Sequence, residues 1–413
     1  MKVRILSFLL CSFFVLHSPV QAARSLPPVI GETQPQLSDR IALIMNGMSL
    51  EEKVAQLFII AADDGAMNTP LPVGGFILFS RHTQNRQDTL ALTQRLRDAS
   101  PHLPPFIAVD QEGGRVTRLA FVSQLPAARQ LAFLRPQTVA KIGRLLGQEL
   151  FSLGFNLNFA PVMDVATRSD NPVIGDRSFS PDPIVVAKLG AALVDGLQSA
   201  GVSATAKHFP GHGDTRTDSH LTLPIVDHAL NRLNHVELLP FHAAVHSKVD
   251  LIMVGHLHFP ALDPTPNLPA TLSYPIITEL LRQQIGYDGL IITDAMNMRA
   301  VTDGFSSGQA AVLAFKAGID IILMPADFSQ AYSALLNAVK TDEISVSRLD
   351  ESLIRILAVK QRILARQKNS QLQDKPALQL ESVGSPSHRL WLEKLLHDRI
   401  ELDAEPQFNN SLP

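Results

Sequence analysis

Short apolar runs rich in β-branched residues recur along the chain at positions 56–60, 75–79, 105–109, 155–159, 202–206, 250–254, 289–293 and 319–324, each bounded by turn residues. Between them, apolar residues return at helical spacing over 86–99, 138–153, 184–199, 233–247, 276–284 and 309–317. A last helix is expected over 347–365, with Leu349, Leu353, Ile356 and Leu357 on one face. An earlier helix is signalled by Ser49 with Glu52 three residues on, a capping box ahead of Val54 and Leu57. Alternating strand and helix predicts a parallel sheet. Eight such units over about 310 residues suit a closed (β/α)8 TIM barrel better than an open doubly wound sheet.

Two flanking segments fall outside that alternation. The first 22 residues join a basic start at Lys2 and Arg4 to an apolar run and then Val20-Gln21-Ala22, the layout of a signal peptide. The run is too short for a membrane span. Cys11 follows Leu10 and is read as part of the apolar run, not as a lipid anchor. Cleavage after Ala22 predicts an exported protein, periplasmic or secreted, with no stable membrane span. The barrel is expected over 23–366, and 367–413 as an extension, partly helical or disordered, with an amphipathic piece over 388–402. About 45 residues are too few for another independent domain without a staple or metal.

Composition narrows the function classes. The chain has 36 basic and 39 acidic residues, and loss of Lys2 and Arg4 leaves 34 against 39, a net charge of −5. That balance argues against a nucleic acid partner. Cys11 is the single cysteine, so a chain cleaved after Ala22 has neither disulfides nor thiolate chemistry. No Gly-x-Gly-x-x-Gly follows the first run, which counts against dinucleotide binding.

In a barrel, side chains at the carboxyl ends of the strands converge on one mouth. Asp110, Asp164, Lys207, His208, His256 and Asp294 all fall at or just beyond such ends. The stretch Lys207-His208-Phe209-Pro210-Gly211-His212-Gly213-Asp214-Thr215-Arg216-Thr217-Asp218-Ser219-His220 holds three histidines, two aspartates and a lysine in one bendable loop. Asp218 stands two positions before His220, close enough to orient its ring as a proton shuttle. Asp294 ends an apolar run and reads either as a catalytic carboxylate or as an N-cap. Asp110, opening Asp110-Gln111-Glu112-Gly113-Gly114-Arg115, reads either as a grip on sugar hydroxyls or as an Asx-turn.

Lys207 to His220, with 109–115, 75–81 and 292–298, resembles the motif set of glycoside hydrolase family 3 in its β-N-acetylglucosaminidase branch, in the expected order over about 49–365. The resemblance implies a retaining exo-glycosidase that takes terminal β-linked N-acetylglucosamine from cell-wall or chitin-derived oligosaccharides. It needs neither cofactor nor metal; a monomer is expected. It places Asp294 on the nucleophile and His220, oriented by Asp218, on the acid/base. Asp110, Arg118, Arg177, Lys207 and His208 fall on positions that bind the terminal sugar. Ala295 departs from relatives with a second acid after the nucleophile. The segment 383–389 resembles the opening of a second domain that longer members carry. The alternatives are a β-glucosidase of the same family, a zinc hydrolase using His208, His212, Asp218, His220, His256 and His258, and a sugar-binding barrel without activity. No His-Glu-x-x-His supports the zinc reading.

Overall fold

The structure is a computed structural model that describes residues 34–63, 71–100, 103–372 and 380–397. The expected signal peptide at 1–22 and residues 398–413 lie outside the described residues.

All eight apolar runs form strands: β1 Phe58–Ala61, β2 Gly75–Leu78, β3 Phe106–Val109, β4 Leu157–Asn158, β5 Ser203–Phe209, β6 Leu251–Val254, β7 Leu290–Thr293 and β8 Ile322–Leu323. They lie in the order β7-β6-β5-β4-β3-β2-β1-β8, every pairing parallel. A parallel bridge between Ile292 and Ile321 joins β7 to the approach of β8 and closes the ring. The continuous apolar runs follow from this geometry, since each strand has side chains in the barrel interior on one face and helices on the other.

Two strands, β4 and β8, are only two residues long, and beside each of them side chains replace ladder bonds. Beside β4, Ile107 N donates to Asn156 Oδ1 at 2.7 Å and Gln111 N to Asn158 Oδ1 at 3.0 Å. Beside β8, Ile291 N donates to Asp320 Oδ2 at 2.9 Å and Leu323 N to Thr293 Oγ1 at 3.0 Å. Strand β5 runs past its expected end to Phe209, so Lys207 and His208 are strand residues, and its register against β6 shifts between Lys207 and Phe209.

The helices match the spacing with one break. The expected helix over 233–247 is two pieces, Leu230–His235 and Leu239–His246, because Pro240 lacks an N–H and Val236 leaves helical geometry at φ −120°, ψ −71°. The capping box at Ser49 and Glu52 is present. Two helices that the spacing did not mark, Gln34–Asn46 and Phe328–Lys340, also cover the barrel.

The Val346–Leu372 helix runs beyond Arg366 and clamps the barrel floor. Its Arg355 pairs with buried Asp320 at 3.1 Å, its Arg362 with buried Asp250 at 3.2 Å, and its Arg366 also bonds Asp250. Farther along the chain Val383 is buried, and the helix Pro386–Leu396 packs on the Pro136–Ser152 helix. Gly384 at φ +58° lies so close to the loop after β3 that an added Cβ would sit 2.0 Å from Phe121 O.

Candidate active site

The carboxyl ends of the strands enclose a cavity of about 320 Å³ lined by Asp110, Glu112, Arg118, Arg177, Lys207, His208, His220 and Asp294. Seven of the eight predicted site residues therefore share one wall system. Asp218, the eighth, reaches the cavity through His220.

Strand β5 delivers Lys207, whose buried Nζ sits 2.8 Å from Asp110 Oδ1 and 2.7 Å from Glu112 Oε1. Glu112 also holds Arg177 in two parallel bonds, from Nε to Oε2 at 2.9 Å and from Nη2 to Oε1 at 2.8 Å. Burial opposes the charge on Glu112, but Lys207 and Arg177 outweigh it and hold the carboxyl far below its usual range. Glu112 is thus ionised and unsuited to donate a proton. It was not among the predicted site residues, although it stands two positions beyond Asp110.

Arg115 bridges to the Arg177 turn, bonding Asp176 at 3.0 Å and the carbonyl of Ile174 at 3.2 Å. Arg118 differs from Arg177. It has no carboxylate partner among the described residues, and its buried Nε has no hydrogen-bond partner. A cation held this way on a cavity wall is available to a ligand.

Behind His208 lies Asp164, fully buried, with Oδ2 2.7 Å from His208 Nδ1 and Oδ1 accepting from the backbone N–H groups of His208 and His212. Burial raises the Asp164 carboxyl, yet His208 and the other donors bring it below its usual value. His208 is therefore oriented by a fixed negative charge.

Asp294 follows β7. It does not cap a helix, because the next one begins at Arg299 with Met298 before it. Its Oδ1 accepts from Ala295 N at 2.8 Å. Burial works against its charge, while His208 and His256 favour it and leave the carboxyl below its usual range. His256 is the buried neighbour that the site assignment omitted. Its Nε2 lies 3.0 Å from Ala295 O and its Nδ1 2.9 Å from Thr271 Oγ1, and burial lowers its affinity for a proton.

His220 Nδ1 is 2.7 Å from Asp218 Oδ1, which also accepts His220 N at 2.8 Å. The His220 side chain is 64% exposed, unlike every other histidine of the mouth. Its loop is tied at Ser219, whose Oγ lies 3.0 Å from His212 Nε2 and whose carbonyl accepts Ala300 N at 3.3 Å. Burial pushes His212 down to about 4, so it serves as a neutral tie between Thr215 and Ser219. The loop is thus pinned beside a freely solvated acid/base candidate.

The histidines of the zinc alternative do not converge. His208 turns to Asp164, His256 to Thr271 and Ala295, and His258 to the carbonyl of Leu268. Three other donors, Asp214, His228 and Glu237, lie within 4.8 Å of one another, but Arg232 already bonds both acids there.

The model of the glycosyl hydrolase family 3 N terminal domain matches residues 49–359. A beta-hexosaminidase A of Pseudoalteromonas piscicida is 39% identical over 346 residues, 77% of this chain and 57% of that protein, so the chain spans little more than half of that relative. Among solved structures, a glycoside hydrolase family 3 beta-N-acetylglucosaminidase from Paenibacillus superposes with a TM-score of 0.77 at 38% identity, covering 84% of this chain and 68% of the other. A beta-N-acetylhexosaminidase from Beutenbergia cavernae gives 0.71 at 30% identity, covering 76% and 98%.

Proposed function

The chain belongs to glycosyl hydrolase family 3, and from that premise we propose that it is a retaining exo-glycosidase that releases terminal β-linked N-acetylglucosamine from cell-wall or chitin-derived oligosaccharides. The names of its relatives support the sugar. The observation that carries the chemistry is a single cavity lined both by the ionised Asp294 and by His220, whose ring Asp218 holds.

Retention normally uses two carboxyl groups about 5 Å apart, one forming a glycosyl-enzyme and the other moving the proton. In this chain His220 takes the second part. It protonates the departing glycosidic oxygen while Asp294 attacks the anomeric carbon. It then removes a proton from the water that breaks the glycosyl-Asp294 bond. Asp218 stabilises the imidazolium that donates in the first step and re-forms when the water gives up its proton in the second. Asp110, Lys207, His208, Arg118 and Arg177 hold the terminal sugar, with Arg177 acting through Glu112 as well as on the ligand. The protein acts after export, with a mature N-terminus near Ala23.

The test is product analysis on a panel of aryl glycosides and N-acetylglucosamine oligosaccharides, with water and phosphate as acceptors. The expected result is release of N-acetylglucosamine with retained configuration, and labelling of Asp294 by a 5-fluoro glycoside. Release of glucose alone would move the substrate to the β-glucosidase alternative, and a label on another carboxylate would end the Asp294 assignment. Activity that disappears on chelation would favour the zinc alternative. Terminal sequencing of the native protein tests export, and an intact Met1 would overturn it.

A further inference from the structure

A second cavity, of about 410 Å³, lies on the outside of the barrel between the Pro136–Ser152 and Pro386–Leu396 helices. None of the residues lining the mouth lines it. One wall carries Lys141, Arg144 and Gln148, and the other His388 and Trp391. We propose that this cavity binds an anionic saccharide, a pyranose that carries a carboxylate or a phosphate.

Charge is the first argument. Lys141 and Arg144 stand three residues apart on one helix face, where like charges destabilise the helix by a few tenths of a kcal/mol. Among the described residues neither has an acidic partner. An anion between them would remove that repulsion and gain two charge-assisted bonds.

Shape and polarity select a sugar over a bare anion. The Trp391 side chain is 41% exposed against the cations, offering a flat apolar face to the C–H face of a pyranose ring. Gln148 supplies an amide for hydroxyl groups. His388 is fixed through Nδ1, 2.7 Å from Glu149 Oε1, which leaves Nε2 without a partner among the described residues. A buried apolar floor at Leu145, a few polar groups and a volume of this order describe a small-ligand pocket. Charged and amide groups at Lys141, Arg144, Gln148 and His388 stand around apolar surface from Leu145 and Trp391, a lining that suits a sugar with an anionic group and a C–H face.

Trp391 is the single tryptophan of the chain, so fluorescence excited selectively at tryptophan, away from the three tyrosines, reports this cavity. The full chain is titrated with glucuronic acid, glucose 6-phosphate, glucose and inorganic phosphate at constant ionic strength. We expect a saturable change with one or both charged sugars, and binding at least about tenfold weaker for glucose and for inorganic phosphate. The charged sugar that binds more tightly identifies the anionic group. Lys141→Glu with Arg144→Glu should abolish the change, while circular dichroism and turnover of an aryl glycoside stay as in the parent. Calorimetry on Trp391→Ala should show weakened binding of the same sugar. No saturable change in the folded parent, or equal binding of inorganic phosphate, overturns the proposal. So does binding seen only after removal of residues 398–413, which carry Glu401, Asp403 and Glu405, because the cavity would then belong to the chain itself.

Discussion

His388 places its Nδ1 2.7 Å from Oε1 of Glu149, and that carboxylate, fully buried, ties the C-terminal helix to the loop that carries Arg118. Glu149 accepts three further bonds: from Ser123 N at 2.6 Å, Ser123 Oγ at 2.8 Å and Gly384 N at 2.9 Å. Ser123 belongs to the same connection after β3 as Asp110, Glu112 and Arg118. The segment 380–397 therefore reaches the mouth through one buried acid.

Removing a donor from a buried carboxylate costs about 1–3 kcal/mol. His388→Ala is accordingly expected to lower the melting temperature and to raise KM several-fold by loosening the Arg118 loop, with kcat little changed. Gly384→Ala should act in the same direction, since its Cβ would meet Phe121 O. Steady-state kinetics decide, and a loss confined to kcat would refute the link.

The eight strands were legible because a barrel strand is largely apolar, and the candidate site because Asp110, Lys207, His208 and Asp294 stand at or just beyond the ends of those runs. The joints between distant residues were not. Asp110 and Lys207 are 97 residues apart and Gly384 and Glu149 are 235 apart, so no local spacing announces either pair. The lengths of β4 and β8 were also hidden, because Asn156, Asn158, Asp320 and Thr293 lie inside the expected runs and no local pattern shows that their side chains take ladder bonds. The break before Pro240 could have been found, since proline near the middle of an apolar helical pattern marks an end.

Lys207 is the joint of the wall proposed to hold the sugar, paired with both Asp110 and Glu112. Asp110→Ala should lower kcat/KM by roughly 10- to 150-fold on every substrate, whatever its leaving group, as expected for one charge-assisted bond. Lys207→Ala should be more severe, because Asp110 and Glu112 would then face each other without the cation between them. Kinetics with several aryl leaving groups test this, and a silent Asp110→Ala would mean that the sugar sits elsewhere in the cavity.

At the barrel floor, Lys360 is buried, bonds Gln56 Oε1 at 2.7 Å and lies 5.2 Å from the Phe106 ring centre. Burial pushes its ammonium down to about 7. In the unfolded chain the value is about 10.4, so above that pH both states are neutral and folding loses nothing. As pH falls from there to about 7, the unfolded chain takes up a proton that the folded chain does not, and stability drops. Below about 7 the loss is constant. Lys360→Met should therefore raise the melting temperature most at pH 6, with the gain shrinking towards pH 10. A pH-independent difference would show that Lys360 stays charged in the core.

The exposed ring of His220 makes its role separable from that of every buried group around it. If it protonates the leaving oxygen, His220→Ala should slow substrates with strongly basic leaving groups far more than activated aryl glycosides, whose leaving group departs unaided. For the activated substrates, breakdown of the glycosyl-Asp294 bond should then limit turnover, since water has lost its base. A burst of phenol and partial rescue by azide are the expected signs. Asp218→Asn should shift rates the same way but less, because it removes the charge that favours the imidazolium at 2.7 Å. Glu112→Gln supplies the contrast. Its carboxylate is already committed to Arg177 and Lys207, so its loss should slow all leaving groups alike and produce no burst. If His220→Ala behaved like Glu112→Gln, the imidazole would be a binding group, and the proton would have to come from elsewhere in the mouth.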